Sequence, residues 1–219
     1  MVLEKGYRKA FWISAAAFAV VSALAGVGWM HGLDLWALHT VQSPASPALD
    51  LLSEIISLAG NIFLTAGLTV ALAAVLYIRG RRSMAIRFLV ALAAITIVEL
   101  ALKLYLPVPS LPLEHLRAAG DEFIFTFPNP YPSGHMMRVV LLAGAVALLR
   151  PSRTVMLSVG VLLAAMAATR VYLGVHWASD VVGGALLAVA ALSWAFGEKR
   201  SYKGKKRVAN KRVTGKRVT

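Results

Sequence analysis

Two short stretches gather residue types able to move a phosphoryl group: Pro132-Ser133-Gly134-His135, and Thr169-Arg170-x5-His176-x3-Asp180. The first stands where a loop passes into an apolar helix. There the first-turn N–H groups lack intrahelical partners and the helix dipole turns its positive end to the loop, which suits a phosphate. Gly134 permits close backbone approach, the Ser133 hydroxyl adds a donor, and His135 can give a proton to a departing alkoxide. In the second stretch His176 and Asp180 are four residues apart, so on a helix they share a face. A carboxylate on one imidazole nitrogen fixes the tautomer and makes the other nitrogen the better nucleophile. Arg170 brings a planar fork of donors matched to phosphate oxygens. Singly, these are an ordinary helix cap, a satisfied histidine or a snorkelling arginine. Together, on one face of a membrane, they point to an active site for phosphate chemistry, because isolated polar groups among apolar helices are costly and are usually functional.

The elements that must hold these residues are membrane helices. Of 219 residues, 58% are hydrophobic and 15% charged, and the mean hydropathy is +0.70, more apolar than a soluble core of this length requires. The expected fold is all-α: a polytopic membrane protein with six transmembrane helices plus an outer amphipathic helix. Windows long enough for about 30 Å of hydrocarbon run approximately 11–30, 60–79, 84–106, 133–150, 154–171 and 177–196. The fourth and fifth form a tight hairpin broken at Leu149-Arg150-Pro151-Ser152-Arg153. Cysteine is absent, so disulfides, thiolate metal sites and a cysteine nucleophile are excluded. Five histidines with no carboxylate cluster at ligand spacing argue against a dedicated metal cage. No metal and no cofactor is expected.

Short cytoplasmic segments carry the excess of lysine and arginine. Lys5, Arg8 and Lys9, then Arg79, Arg81, Arg82 and Arg87, then Arg150 and Arg153, and finally the tail from Lys199 all fall on one side of the six-span topology. That topology makes both termini cytoplasmic. Only Lys103, Arg117, Arg138 and Arg170 fall on the opposite, extracytoplasmic face, beside the two motifs. The expected location is a bacterial-type plasma membrane. Span one, with an apolar run longer than a signal-peptide core, reads as a retained signal anchor. Residues 1–197 form the membrane domain. Residues 198–219, with the repeat Lys206-Arg207-Val208, Lys211-Arg212-Val213 and Lys216-Arg217-Val218, read as a disordered basic tail: a positive-inside anchor able to contact anionic lipid, with no specific nucleic-acid role.

Between spans one and two, Leu51, Leu52, Ile55, Ile56 and Leu58 recur at helical spacing among Asp50, Ser53, Glu54 and Ser57. Ser46-Pro47 supplies a cap and a first-turn proline, so an amphipathic helix lying flat on the outer surface is expected. Glu99, one turn before Lys103 within span three, either pairs with that lysine or is held neutral against another helix. His31, His39 and His115 are assigned to interfaces or loops. Trp29, Trp36, Trp177 and Trp194 are assigned to the interfacial belt.

These residues resemble the type 2 phosphatidic acid phosphatase superfamily, related to vanadium haloperoxidases and bacterial acid phosphatases. Its signature has three parts: Lys-x6-Arg-Pro, Pro-Ser-Gly-His and Ser-Arg-x5-His-x3-Asp. The second is complete here. The third has Thr169 for serine and is accompanied by Gly174-Val175-His176 and Gly183-Gly184. In the first, Lys103 is present but Ser110-Leu111 stands where Arg-Pro belongs. Arg138, one turn past His135, and Arg117 are the candidates for the missing guanidinium. The resemblance covers roughly residues 60–196. It implies that His176, held by Asp180, attacks phosphorus to form a phosphohistidine, and that His135 protonates the leaving oxygen and then activates water. Lys103, Ser133, Gly134 and Arg170, with Arg138, would bind the phosphate, supported by Glu99. The implied substrate is a membrane lipid phosphate or diphosphate, polyprenyl diphosphate or phosphatidylglycerophosphate foremost. A phosphotransferase using the same histidine is one alternative, and a non-catalytic phosphate-binding or transport protein is another.

Overall fold

The computed structural model describes residues 4–117 and 127–198. The tail beyond Glu198, on which the reading of a disordered anchor rests, lies outside the described residues. Among these, eight α-helices succeed one another: α1 (Lys5–Gly26), α2 (His31–Gln42), α3 (Pro47–Ser57), α4 (Ile62–Ile78), α5 (Arg82–Tyr105), α6 (Gly134–Leu149), α7 (Arg153–Tyr172) and α8 (Ala178–Phe196). Short 3-10 turns occupy Leu58–Gly60 and Leu113–His115.

Helix ends follow from local chemistry. Ser46, Asn61, Ser133 and Ser152 accept first-turn N–H groups with their side chains and so start α3, α4, α6 and α7. The Ser152 cap directly follows Pro151, giving the tight α6–α7 hairpin expected from the sequence. Five helical stretches are long and apolar enough to cross a membrane: 5–26, 47–78 (α3 and α4 run together), 82–105, 153–172 and 178–196. The 16-residue α6 spans about 24 Å at 1.5 Å per residue. It is shorter than a full hydrocarbon crossing.

α8 is the centre of the bundle. It packs most extensively along α1 and α6, and also on α5. Met137, Leu141, Tyr131, Trp177, Phe88 and Ile95 are fully enclosed there. At one end of the bundle, Glu4 N–H donates to the Gly197 carbonyl at 2.8 Å, and Arg87 pairs with Glu198, which also accepts from Ser83 Oγ at 3.1 Å. The N-terminus, the basic α4–α5 turn and the end of α8 therefore share one end. The end of α5 and the starts of α6 and α8 meet at the other, as the charge distribution requires.

Three expectations change. Residues 31–42 form a helix of their own, α2, which the apolar periodicity did not single out. The amphipathic α3 forms where expected, but its orientation is inward: Ser53 and Ser57 are buried whereas Leu51, Leu52 and Ile55 are exposed. Its polar face is a wall of the bundle, and its apolar face is left for lipid. Finally, Trp29 and Trp36 are exposed as belt residues would be, but Trp177 is 1% exposed and donates its indole N–H to the Pro109 carbonyl at 2.7 Å. It is a core residue that ties the 106–117 loop to the start of α8.

Candidate active site

At the end away from the termini the helices leave a cavity of about 660 Å³. Glu99, Lys103, His135, Arg138, Arg170 and His176 line it, with Glu54, Ser57 and Phe127. Four different segments thus bring the motif residues to one place.

His176 arrives differently from the sequence expectation. It precedes α8 and lies in the turn from Leu173, so no helix face is shared with Asp180. Instead Asp180, in the first turn of α8, folds back: its Oδ2 accepts from the Trp177 N–H at 2.8 Å and meets His176 Nδ1 at 3.2 Å. The carboxylate acceptor puts the proton on Nδ1 and leaves Nε2 with its lone pair. Burial, followed by the charges of Arg170 and Lys103, holds the His176 imidazolium well below the usual histidine range. The ring is a neutral base, the form a nucleophile needs.

The turn itself depends on Gly174. Its φ is +67°, disfavoured for residues with a Cβ. A Cβ there would also overlap the His115 carbonyl oxygen. That carbonyl is fixed by Gln42 Nε2, which donates to it at 2.7 Å and to the Tyr172 carbonyl at 2.8 Å. Gly174→Ala is therefore expected to lose at least about 2 kcal/mol of stability and about tenfold in kcat, measurable as a lower Tm in detergent and a slower phosphate release. A variant with wild-type values for both would show that the turn tolerates the methyl.

The three cations reach the cavity from α5, α6 and α7. Glu99 holds two of them: Oε1 lies 3.2 Å from Lys103 Nζ and Oε2 accepts from Arg138 Nη1 at 3.0 Å. Glu99 thus makes the expected pair with Lys103 and shares its carboxylate with Arg138, a second partner from α6. Gly134 makes room for it, since a Cβ would overlap Glu99 Oε1 and come within 2.8 Å of Arg138 Nη1. The glycine serves the Glu99 carboxylate at least as much as any approach to phosphate. Arg170 donates from Nη1 to Ser57 Oγ on α3, and its carbonyl accepts the His176 N–H at 3.3 Å.

Not every candidate faces the cavity. Ser133 is fully buried, and its Oγ is directed to the Met136 N–H as the α6 cap at 3.5 Å. Its own N–H donates to the Asp180 carbonyl at 3.0 Å, so it joins the two motifs instead of presenting a hydroxyl. Arg117 is bidentate to Asp50 at 2.7 and 2.9 Å and fastens the 113–117 loop to α3. Arg138 alone of the two substitute arginines lines the cavity. Ser57, Glu54 and Gly60 were missed in the sequence. A Cβ on Gly60 would sit 2.6 Å from His135 Cδ2, so this glycine makes the space His135 occupies. Nothing in local periodicity marks it. His39 and His115 meet edge to face, 4.9 Å between centroids, and His31 sets its edge on Trp177.

The sequence model of the PAP2 superfamily matches residues 84–200, more than half of the chain and all of both motifs. The chain belongs to the PAP2 superfamily. It is a membrane phosphatase of that group, and the reading as a non-catalytic binder is set aside. Among curated proteins nothing matches. Of solved structures, the first transmembrane PAP2 type phosphatidylglycerolphosphate phosphatase from Bacillus subtilis is 19% identical, with TM-score 0.66 over 90% of this chain and 96% of that one. Aquifex aeolicus LpxE is 18% identical, with TM-score 0.61 over 76% and 96%. At such identity the likeness is one of fold, and at 90% of this chain it reaches beyond the residues that the superfamily model matches.

Proposed function

We propose that the protein hydrolyses a lipid phosphate monoester or diphosphate at the extracytoplasmic face through a phosphohistidine on His176. The observation that carries this reading is the His176–Asp180 bond at the wall of a cavity that also holds His135 and three cations. His176 Nε2 attacks phosphorus and the bond to the leaving oxygen breaks; His135 gives that oxygen its proton. Water then attacks the phosphohistidine, its proton passing to His135, and phosphate leaves with His176 restored. Lys103, Arg138 and Arg170 neutralise the equatorial oxygens, where charge accumulates in phosphoryl transfer. Arg138 takes the role of the arginine absent from the first motif, and Glu99 keeps Arg138 and Lys103 aimed.

Six crossings, α6 being the short one, put both termini on the cytoplasmic side, in keeping with the lysine and arginine distribution. The fold shared with a phosphatidylglycerolphosphate phosphatase makes that lipid a leading candidate, beside polyprenyl diphosphate. The test uses radiolabelled phosphatidylglycerophosphate, phosphatidate and prenyl diphosphate in mixed micelles with no added metal, with acid-stable and alkali-stable protein phosphate assayed after quench. An alkali-stable, acid-labile label present in wild type and missing in His176→Ala is the expected result. Turnover with no such label in a rapid quench would remove the covalent step.

A further inference from the structure

We infer that Asp34, far from both motifs in sequence and outside the matched residues 84–200, is the positioning residue that sets the catalytic pair. The inference rests on the reading of His176 as nucleophile. Asp34 lies on α2 and is 4% exposed. Both of its carboxylate oxygens are used on one residue of α8: Oδ1 accepts the Ser179 N–H at 2.8 Å, and Oδ2 accepts the Ser179 hydroxyl at 2.7 Å. Ser179 immediately precedes Asp180.

The first turn of α8 therefore has two carboxylates on its orphan N–H groups. Asp180 Oδ2 holds the Trp177 amide from within the turn, and Asp34 holds the Ser179 amide from outside. This matters because Asp180 Oδ2 is a shared acceptor, serving Trp177 N–H and His176 Nδ1 together, while Oδ1 has no hydrogen-bond partner among the described residues. No second bond of Asp180 fixes the carboxylate plane, so its aim depends on where the turn is clamped. The Trp177 indole on Pro109 and the Ser133 N–H on the Asp180 carbonyl are two such clamps, and Asp34, with both oxygens on the residue next to Asp180, is the third. Lys103, Arg138 and Arg170 sit on α5, α6 and α7, so loosening the α8 turn should leave phosphate binding in place and slow the attack. A misplacement on the scale of 1 Å is worth about 100-fold in rate.

The experiment compares wild type, Asp34→Ala, Asp34→Asn, Ser179→Ala and His176→Ala in detergent, with phosphatidylglycerophosphate as substrate and inorganic phosphate as competing ligand. Asp34→Ala should lower kcat about 10- to 100-fold while KM and the phosphate Ki stay within about twofold. Asp34→Asn keeps an acceptor for the Ser179 N–H, and the serine hydroxyl can rotate to accept from the new amide, so kcat should return to within about threefold of wild type. Hydrogen exchange should quicken in the first turn of α8 in Asp34→Ala and not elsewhere; this readout needs no substrate. Unchanged exchange at 178–181, wild-type kcat, a KM rising in step with the loss, or an Asn variant as poor as the Ala variant would each overturn the inference. Should Asp34→Ala fail to fold, Ser179→Ala carries the test: kcat should fall about two- to fivefold with KM unmoved, and a wild-type kcat overturns the inference. If His176→Ala keeps turnover, the nucleophile reading fails instead; if His176→Ala is dead and Asp34→Ala is normal, only the role of Asp34 falls.

Discussion

Purified His176→Ala enzyme is expected to release inorganic phosphate at least roughly 10,000-fold more slowly than wild type, with its thermal unfolding little changed. On the proposed role of His176 as nucleophile, its removal forfeits the covalent route altogether, and among the described residues the ring's hydrogen bond is the one to Asp180. Asp180→Asn should be milder, about 1,000-fold, because an amide can orient the imidazole in the wrong tautomer yet leaves the nucleophile in place. The pH dependence follows the lowered imidazolium pKa. The folded protein holds His176 neutral where an unfolded chain would protonate it near pH 6.5. The acid limb of kcat/KM attributable to this residue should thus lie below pH 6.5. Conformational stability should decline as pH falls below that value, because the unfolded state then binds more protons. Phosphate-release profiles on wild type and His176→Ala, with Tm followed across the same range, check both. An acid limb at or above pH 7 assigned to His176 would contradict the buried, cation-flanked geometry.

The second large effect concerns Glu99. Glu99→Ala takes the counterion from Lys103 and Arg138 together, and these side chains are 14% and 7% exposed. Breaking a buried pair by removing one partner typically destabilises by about 3–5 kcal/mol, since a charge is left uncompensated. Activity should fall as well, by about 100-fold in kcat/KM, because two of the three cations proposed to bind phosphate lose their aim. Gly134→Ala should act in the same direction, as its methyl would occupy the space of Glu99 Oε1. The decisive measurement is the double-mutant cycle: if the methyl acts through Glu99, Gly134→Ala adds little in the Glu99→Ala background. Full additivity would separate the glycine from the carboxylate, and a Glu99→Ala enzyme with wild-type Tm and kcat/KM would remove the bridge from the account.

Both predictions depend on contacts of unequal legibility. The bond between His176 and Asp180 was readable because the two are near in sequence, although its route through the helix cap, not a shared helix face, was not. Lys103 and Glu99 were legible for the same reason, being four residues apart on one helix. The bridge from Glu99 to Arg138 was not, because it joins α5 to α6 across a loop. Trp177 was misassigned since hydropathy cannot tell an aromatic ring at the lipid interface from one buried under a neighbouring loop. The inward serines of α3 follow a rule that amphipathicity alone leaves open, namely which side of the helix is protein and which is lipid.

By itself the sequence determined the solvent this chain lives in, most of the helices that result, and the pairing of His176 with Asp180, because these depend on composition, 3.6-residue periodicity and spacings of a few residues. The tertiary structure alone decided which arginine enters the cavity beside His135 and His176, why Gly134 and Gly60 must lack side chains, and that Asp34 bonds the turn bearing Asp180. The two hydrogen bonds among these contacts join residues 39 and 145 positions apart, and only packing of one helix against another brings such groups together.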